Sequence, residues 1–114
     1  MPDASREPHP RLRLDEHLST PVRLSLLAAL AAGNEADFAS LREILEIGDS
    51  ALSKALSHLE RAGYVKVRKG YVGSRPRTWA RATTRGRHAF AVHVRALQDI
   101  VALSPIEGRD PEKP

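Results

Sequence analysis

The chain has no cysteine, and only 4% of its 114 residues are aromatic. Without thiols it can form neither disulfides nor thiolate metal sites, and it has no cysteine nucleophile. No apolar run approaches the roughly 20 residues of a membrane span. Residues 1–13 are rich in proline and charge and lack the apolar stretch of a signal peptide. The sequence therefore predicts a cytoplasmic protein with a core of Leu, Val, Ile and Ala.

Motifs of catalysis and of metal binding are also missing. The five histidines, at positions 9, 17, 58, 88 and 93, form no recognisable Ser–His–carboxylate motif, and there is no Gly-rich phosphate loop. His88 and His93 are five residues apart, so they do not share a helix face as an i, i+4 pair would. We predict no enzyme activity, no cofactor and no metal site, and we expect both residues at the rim of a dimer surface.

Positive charge is concentrated in one part of the chain. The formal net charge is +4, yet residues 47–82 alone hold eight Lys or Arg against two acidic residues. A basic stretch beside an acidic remainder is typical of a polyanion-binding face. A solvated, Arg-rich surface is the alternative, and charge alone does not decide between them.

A first helix is predicted to begin near Thr20, which can cap it, with Pro21 at its first position and Gly33 after its end. It is apolar around most of its circumference and should be buried. Its many alanines suggest close packing with little cavity, which leaves a small-molecule effector as an open question. Residues 12–18 carry three leucines and predict a short preceding helix.

Two further helices are predicted before position 63. The first covers residues 39–46, with Phe38 in an extended segment before it and a turn at residues 47–48. Asp49 or Ser50 caps the next helix, and Gly63 ends it. The apolar stripe of that helix, which must face inward, consists of Leu52, Leu56 and Leu59.

The hydrophobic pattern then changes from a period of 3.6 to a period of 2. Residues 64–69 alternate and are β-branched, which predicts a strand. Residues 70–76 contain two glycines, a serine and a proline and predict a loop, and residues 77–82 predict the return strand. Together they form a basic β-hairpin directly after the third helix.

A long last helix is predicted over residues 84–103, capped by Thr83. Its two neighbouring apolar stripes exceed what packing on one core requires, so we predict that one of them meets a second subunit. Residues 1–11 and 104–114 are expected to be flexible tails around a single domain, 12–103. The residues predicted for the dimer surface are Leu18, Phe90, Val94, Leu97, Ile100 and Val101.

These elements predict a mainly α fold with a small β-hairpin (α+β): a winged helix-turn-helix with N- and C-terminal dimerisation helices. Such a motif places its second helix, here about residues 50–62, in the major groove of double-stranded DNA. The hairpin, about residues 64–82, is the wing that lies on the backbone or in a minor groove. The residues predicted to contact DNA are Ser50, Ala51, Ser53, Lys54, Ser57 and His58 on the helix, and Arg68, Lys69, Arg75 and Arg77 on the wing.

Residues 15–101 resemble the winged-helix transcriptional regulators of the MarR/ArsR-like superfamily, in particular the short, single-domain winged helix DNA-binding group. The segments that carry the resemblance, in order, are 17–24, 38–41, 52–65, 69–78 and 82–86, and Ala82 stands where a leucine is common. The resemblance implies a homodimer that binds a pseudo-palindromic operator, usually as a repressor. It does not imply a ligand.

Two other functions stay open at this point. Winged helices also serve as docking modules for other proteins, and they also bind chromosomal DNA with little sequence preference. The salt dependence of binding distinguishes a protein-docking module from a DNA-binding domain, because phosphate contacts weaken steeply as the salt concentration rises. Equal affinity for promoter and random duplexes identifies the second.

Overall fold

The computed structural model describes residues 7–104. This part of the chain folds as a mainly α domain with one small antiparallel sheet, as predicted. Among these residues, no helix combines the length and apolarity needed to cross a membrane. The helices are α1 (Pro21–Ala31), α2 (Phe38–Leu45), α3 (Asp49–Arg61) and α4 (Thr84–Ala102), and the strands are β1 (Ala36–Asp37), β2 (Val65–Val72) and β3 (Arg75–Ala82).

The segment before α1 forms two short 3-10 turns, Pro10–Arg13 and Glu16–Leu18, instead of the predicted helix. Asp15 separates them because its backbone is extended and its carboxylate accepts a hydrogen bond from the next turn. Pro10 is buried, so the ordered domain begins before the predicted boundary at residue 12. The other residues of the predicted tails, 1–6 and 105–114, lie outside the described part.

Thr20 caps α1 as predicted, since its hydroxyl accepts a hydrogen bond from the Arg23 amide at 3.2 Å. The extended segment before α2 is β1, and Phe38 is already the first residue of the helix, which corrects its predicted extended conformation. The cause is Asp37, whose carboxylate caps α2 by accepting from the Ser40 amide.

The turn between α2 and α3 comprises residues 46–48 and begins one residue earlier than predicted. Glu46 ends α2 with a left-handed backbone (φ 54°), and Gly48 occupies the N-cap position of α3 without a side-chain bond. Asp49, predicted as a cap, is instead the first helical residue, and Ser50 follows it. The Asp49 carboxylate pairs with Arg42 of α2, which ties the two helices together and places a negative charge at the positive end of α3.

The hairpin is longer than predicted. Residues 70–72 and 75–76 belong to the strands rather than to a loop, and only Gly73, with φ 64°, and Ser74 form the turn. A two-residue turn needs this backbone freedom. β1 pairs only with Trp79 and Ala80 of β3, so β3 has no neighbouring strand on that side at Pro76. A proline is tolerated at such an edge position.

One core joins α1, α2, α3 and the base of the sheet. The predicted leucine stripe of α3 faces inward, with Leu52 and Leu59 completely buried and Leu56 5% exposed. β3 lies in the middle of the sheet, between β1 and β2. The other large side chains that are buried almost completely are Leu18, Leu26, Leu27, Leu30, Leu41 and Val65.

Helix α4 begins where it was predicted, and Thr83 caps it by accepting a hydrogen bond from the Gly86 amide at 2.9 Å. The face that covers the domain contains Gly86, His93 and Ala96. His93 is only 3% exposed, and its Nδ1 accepts a hydrogen bond from the Asp15 amide. It is therefore an interior residue, which corrects its predicted place at the rim of a dimer surface.

Candidate nucleic-acid interface

The outward face of α3 is polar and made of short side chains. Five residues predicted to contact DNA are exposed here: Ser50, Ala51, Ser53, Lys54 and Ser57. They lie opposite the leucine stripe, because that stripe holds the helix against α1 and the sheet. Short side chains let a helix approach a groove closely, and the serine hydroxyls can donate to or accept from base edges.

The wing stands next to this face. Lys69, Arg75 and Arg77 are exposed on it. Arg75 and Arg77 are two residues apart on β3 and therefore lie on the same side of the strand. Lys69 also lines a small cleft of about 270 Å³ together with Ser53 and Ser57 of α3. The polar helix face and the cationic wing thus form one continuous surface.

Arg68 differs from the other predicted wing cations. Its guanidinium forms two hydrogen bonds to the Glu35 carboxylate, at 2.8 and 3.0 Å, and stacks on Trp79 with 4.1 Å to the ring centroid. The hydrogen bond from Arg68 is the main reason why the pKa of Glu35 lies below its usual range. Its planar donor fork is therefore engaged within the chain, and its predicted contact with DNA stays a prediction. Its role is to fasten the base of the wing to the segment after α1.

His58, the remaining residue of α3 predicted to contact DNA, is less exposed than the other five. It is half-buried, and its Nε2 lies 2.9 Å from Nδ1 of His17. Burial is the main cause that lowers the pKa of His58, and the nearby cations Arg23 and Arg61 add to it. Its ring is thus bound to the segment before α1 instead of facing solvent freely.

Two cations that were not among the predicted DNA-contacting residues also lie next to the outward face of α3. Arg23 of α1 and Arg61 at the end of α3 line, with Lys54, a cleft of about 560 Å³ between the start of α1 and α3. The Arg23 side chain donates to the backbone oxygens of Glu16 and His17. Lys54 and Arg61 are two turns apart on α3 and share a face. Only the contact between α1 and α3 brings Arg23 to them, so the position of Arg23 in the sequence carried no signal.

The predicted dimer residues divide into two groups. Leu18 is 1% exposed and belongs to the core of its own chain, so its assignment to the dimer surface is corrected. Phe90 packs against the same core, and Val94 and Ile100 are half-buried. Leu97 and Val101 are 37% and 58% exposed on α4.

An apolar groove lies beside these exposed residues, between the 3-10 turns, the start of α1 and α4. Its volume is about 770 Å³, although the inner face of α1 is closely packed, with Leu26, Leu27 and Leu30 completely buried. Leu12, Leu24 and Leu97 line it, together with the edge of His93. Within residues 7–104, no group of three or more His, Asp or Glu side chains is arranged to hold a metal ion.

A helix-turn-helix followed by a cationic hairpin, on one core, defines a winged-helix DNA-binding domain. The family model of the winged helix DNA-binding domain matches residues 22–101, and the chain belongs to this family. The match confirms the predicted fold and the resemblance to winged-helix regulators, and the family is one of DNA-binding domains.

The chain is also similar to individual proteins. The uncharacterized protein MJ0432 of Methanocaldococcus jannaschii is 33% identical over 73 residues, which cover 64% of this chain and 79% of that protein. The structure of a transcriptional regulator homologue from Pyrococcus horikoshii OT3 superposes with a TM-score of 0.74 at 26% identity, covering 81% of this chain and 91% of that one. The PcaV transcriptional regulator of Streptomyces coelicolor, solved in complex with its natural ligand, has a TM-score of 0.66 at 20% identity, with 89% and 72% covered, and shares the fold.

Proposed function

We propose that the chain is a homodimeric transcriptional regulator that binds a specific double-stranded DNA sequence and represses transcription. The observation that carries the proposal is the continuous surface formed by the outward face of α3 and the wing. Its helix face is short and polar, whereas the wing supplies exposed cations. A major groove admits a helix of this kind, and phosphates attract the cations beside it.

In this proposal α3 lies in the major groove, with Ser50, Ser53 and Ser57 toward base edges and Lys54 toward a guanine or a phosphate. The wing lies along the backbone or in the adjacent minor groove through Lys69, Arg75 and Arg77. The helix would supply sequence selectivity and the wing most of the affinity. Such a regulator acts at the chromosome, so a cytoplasmic, nucleoid-associated location is part of the proposal.

The first test compares the upstream intergenic DNA of the gene with a random duplex of equal length at two salt concentrations. We expect tight, salt-sensitive binding that favours the upstream duplex. Salt sensitivity without sequence preference would support sequence-tolerant chromosomal binding. No binding to either duplex would contradict the proposal and favour a protein-docking function, and a reporter driven by the bound promoter tests repression.

The dimer is proposed from the exposed apolar side chains at one end of the domain. Leu12, Leu97 and Val101 are 65%, 37% and 58% exposed, and they belong to two neighbouring elements, the first 3-10 turn and α4. A second copy that covers them would remove apolar surface from water. Twofold symmetry would then match a pseudo-palindromic operator.

We expect the wild-type protein to sediment as a dimer at micromolar concentration and Leu97→Glu to sediment as a folded monomer, because the partner would bury an unpaired charge. Ile44→Glu is the matched control: Ile44 is 63% exposed on α2, so this change should leave the dimer intact. Circular dichroism checks that each variant is folded. A wild-type monomer would contradict the proposed dimer.

An effector is a further part of the regulator proposal. The apolar groove described above is large enough for a small molecule, and the PcaV structure contains its natural ligand. Leucine side chains supply much of its lining, together with Arg11, Asp15, Glu16 and His93.

A further inference from the structure

Two histidines from different elements meet beside α3. Nδ1 of His17, in the second 3-10 turn, lies 2.9 Å from Nε2 of His58, and the ring centroids are 5.1 Å apart in an edge geometry. At this distance one nitrogen must carry a proton and the other a lone pair. The contact can therefore form when both rings are neutral or when one ring is neutral and the other is imidazolium. It cannot form when both rings are imidazolium, because both nitrogens would then be donors.

His17 is held firmly in this position. The Asp15 carboxylate accepts a hydrogen bond from the His17 amide at 2.8 Å, and Nε of Arg23 donates to the His17 carbonyl oxygen at 2.8 Å. The Tyr64 ring meets the His17 ring edge-on, with 5.6 Å between centroids, and the Tyr64 hydroxyl donates to Asp15. The contact with His58 thus rests on a fixed framework.

The charges around the two rings are asymmetric. Positive groups surround His58, whereas the carboxylates of the neighbouring turn lie on the side of His17. In the free protein, burial and these cations keep the pKa of His58 below its usual range. The titratable and charged groups that face the two rings or line the clefts containing them are Arg13, Asp15, Glu16, Arg23, Lys54, Arg61, Tyr64 and His88.

We propose that the His17–His58 pair takes up a proton when DNA binds, so that DNA affinity rises as the pH falls from 8 to 6. The inference rests on the proposed DNA-binding function. His58 is four residues after Lys54 and therefore lies on the same side of α3, next to the surface that would receive phosphates. Negative charge nearby favours the protonated form, and the added proton preserves the contact because one imidazolium can donate to one neutral ring.

The sign follows from linkage. If the pKa of the pair is higher in the DNA-bound protein than in the free protein, DNA affinity rises as the pH falls between these two pKa values. One linked proton changes affinity by at most about tenfold per pH unit. A protein without this uptake would show the same affinity across the range, apart from effects of ionic strength.

The experiment measures fluorescence anisotropy of a labelled upstream duplex between pH 6 and 8, at constant ionic strength, once with EDTA and once without it. The wild-type protein should bind about three- to tenfold tighter at pH 6 than at pH 8. His17→Gln and His58→Gln should each flatten the profile to within about twofold, and the double variant should be no flatter than either. Glutamine can still hydrogen-bond but does not titrate near neutral pH.

His9→Asn serves as the matched control, because it removes an exposed imidazole that only contacts the Arg11 amide and should leave the slope unchanged. A flat wild-type profile would overturn the proton uptake but leave DNA binding intact. If each single variant lost half of the pH dependence and the double variant lost all of it, the two histidines would titrate independently. That result would contradict proton uptake by a coupled pair. An effect that disappears with EDTA would assign it to a metal ion instead, whereas no DNA binding at any pH would overturn the proposed function itself.

Discussion

Replacing Arg75 and Arg77 together with alanine is expected to weaken duplex binding by about ten- to a hundredfold near physiological salt. Both guanidiniums are exposed on one side of β3. Each phosphate contact that is lost should also reduce the slope of log affinity against log salt by about 0.9. The measurement is a salt titration of anisotropy with wild type and variant on the same duplex. The upstream and the random duplex should weaken alike, because phosphate contacts carry little sequence information.

The control for this variant removes the same charge from another surface. Arg87 and Arg95 are exposed on α4, outside the surface formed by α3 and the wing, and Arg87→Ala with Arg95→Ala should change affinity by less than about twofold. An unchanged salt slope in the Arg75/Arg77 variant would show that the wing does not touch the backbone. A loss confined to the upstream duplex would instead assign base contacts to these arginines.

The Gly86→Ala substitution is expected to lower the free energy of unfolding by at least about 2 kcal/mol, although alanine favours helices by about 1 kcal/mol over glycine. A Cβ at position 86 would lie 2.1 Å from the carbonyl oxygen of Tyr64. That oxygen cannot move freely, because it accepts a hydrogen bond from the Thr83 amide at 3.0 Å. The strain would therefore displace the start of α4 from the start of the wing.

Thermal unfolding at fixed protein concentration tests this expectation, since the stability of a dimer would depend on concentration. For a domain of this size, a loss of 2 kcal/mol lowers Tm by roughly 10 °C. Gly33→Ala is the control, because a Cβ there meets nothing within 4 Å, and its Tm should stay within a few degrees. A variant at position 86 that is as stable as wild type would mean that the close approach is absent in solution.

Features that depend on neighbouring residues were predictable from the sequence. The caps at Thr20 and Thr83 were found because a side chain bonds to an amide three residues away. The inward stripe of α3 was found because its period matches a helix. The loop predicted over residues 70–76 failed for the opposite reason: composition marks Gly70 and Pro76 as breakers, whereas strand pairing accommodates both.

Features that depend on distant residues were not predictable. Glu35 and Arg68 are 33 positions apart, and His17 and His58 are 41 apart. Only the packing of α1, α3 and the sheet brings each pair together. Leu18 illustrates the same limit, because an apolar residue before α1 suits a core and a dimer surface equally well until its neighbours are known.

Trp79 is the sole tryptophan of the chain, and it lies at the base of the wing beneath the Arg68 guanidinium. Its indole is half-buried and also contacts Gly70, where a Cβ would come within 3.2 Å of the ring. Trp79 also pairs with Asp37 of β1, and Arg68 bonds to Glu35, both outside the hairpin. A change in the angle of the hairpin is therefore expected to alter the surroundings of this one chromophore. The protein carries its own optical reporter, and its intrinsic fluorescence can follow wing movement without an attached dye.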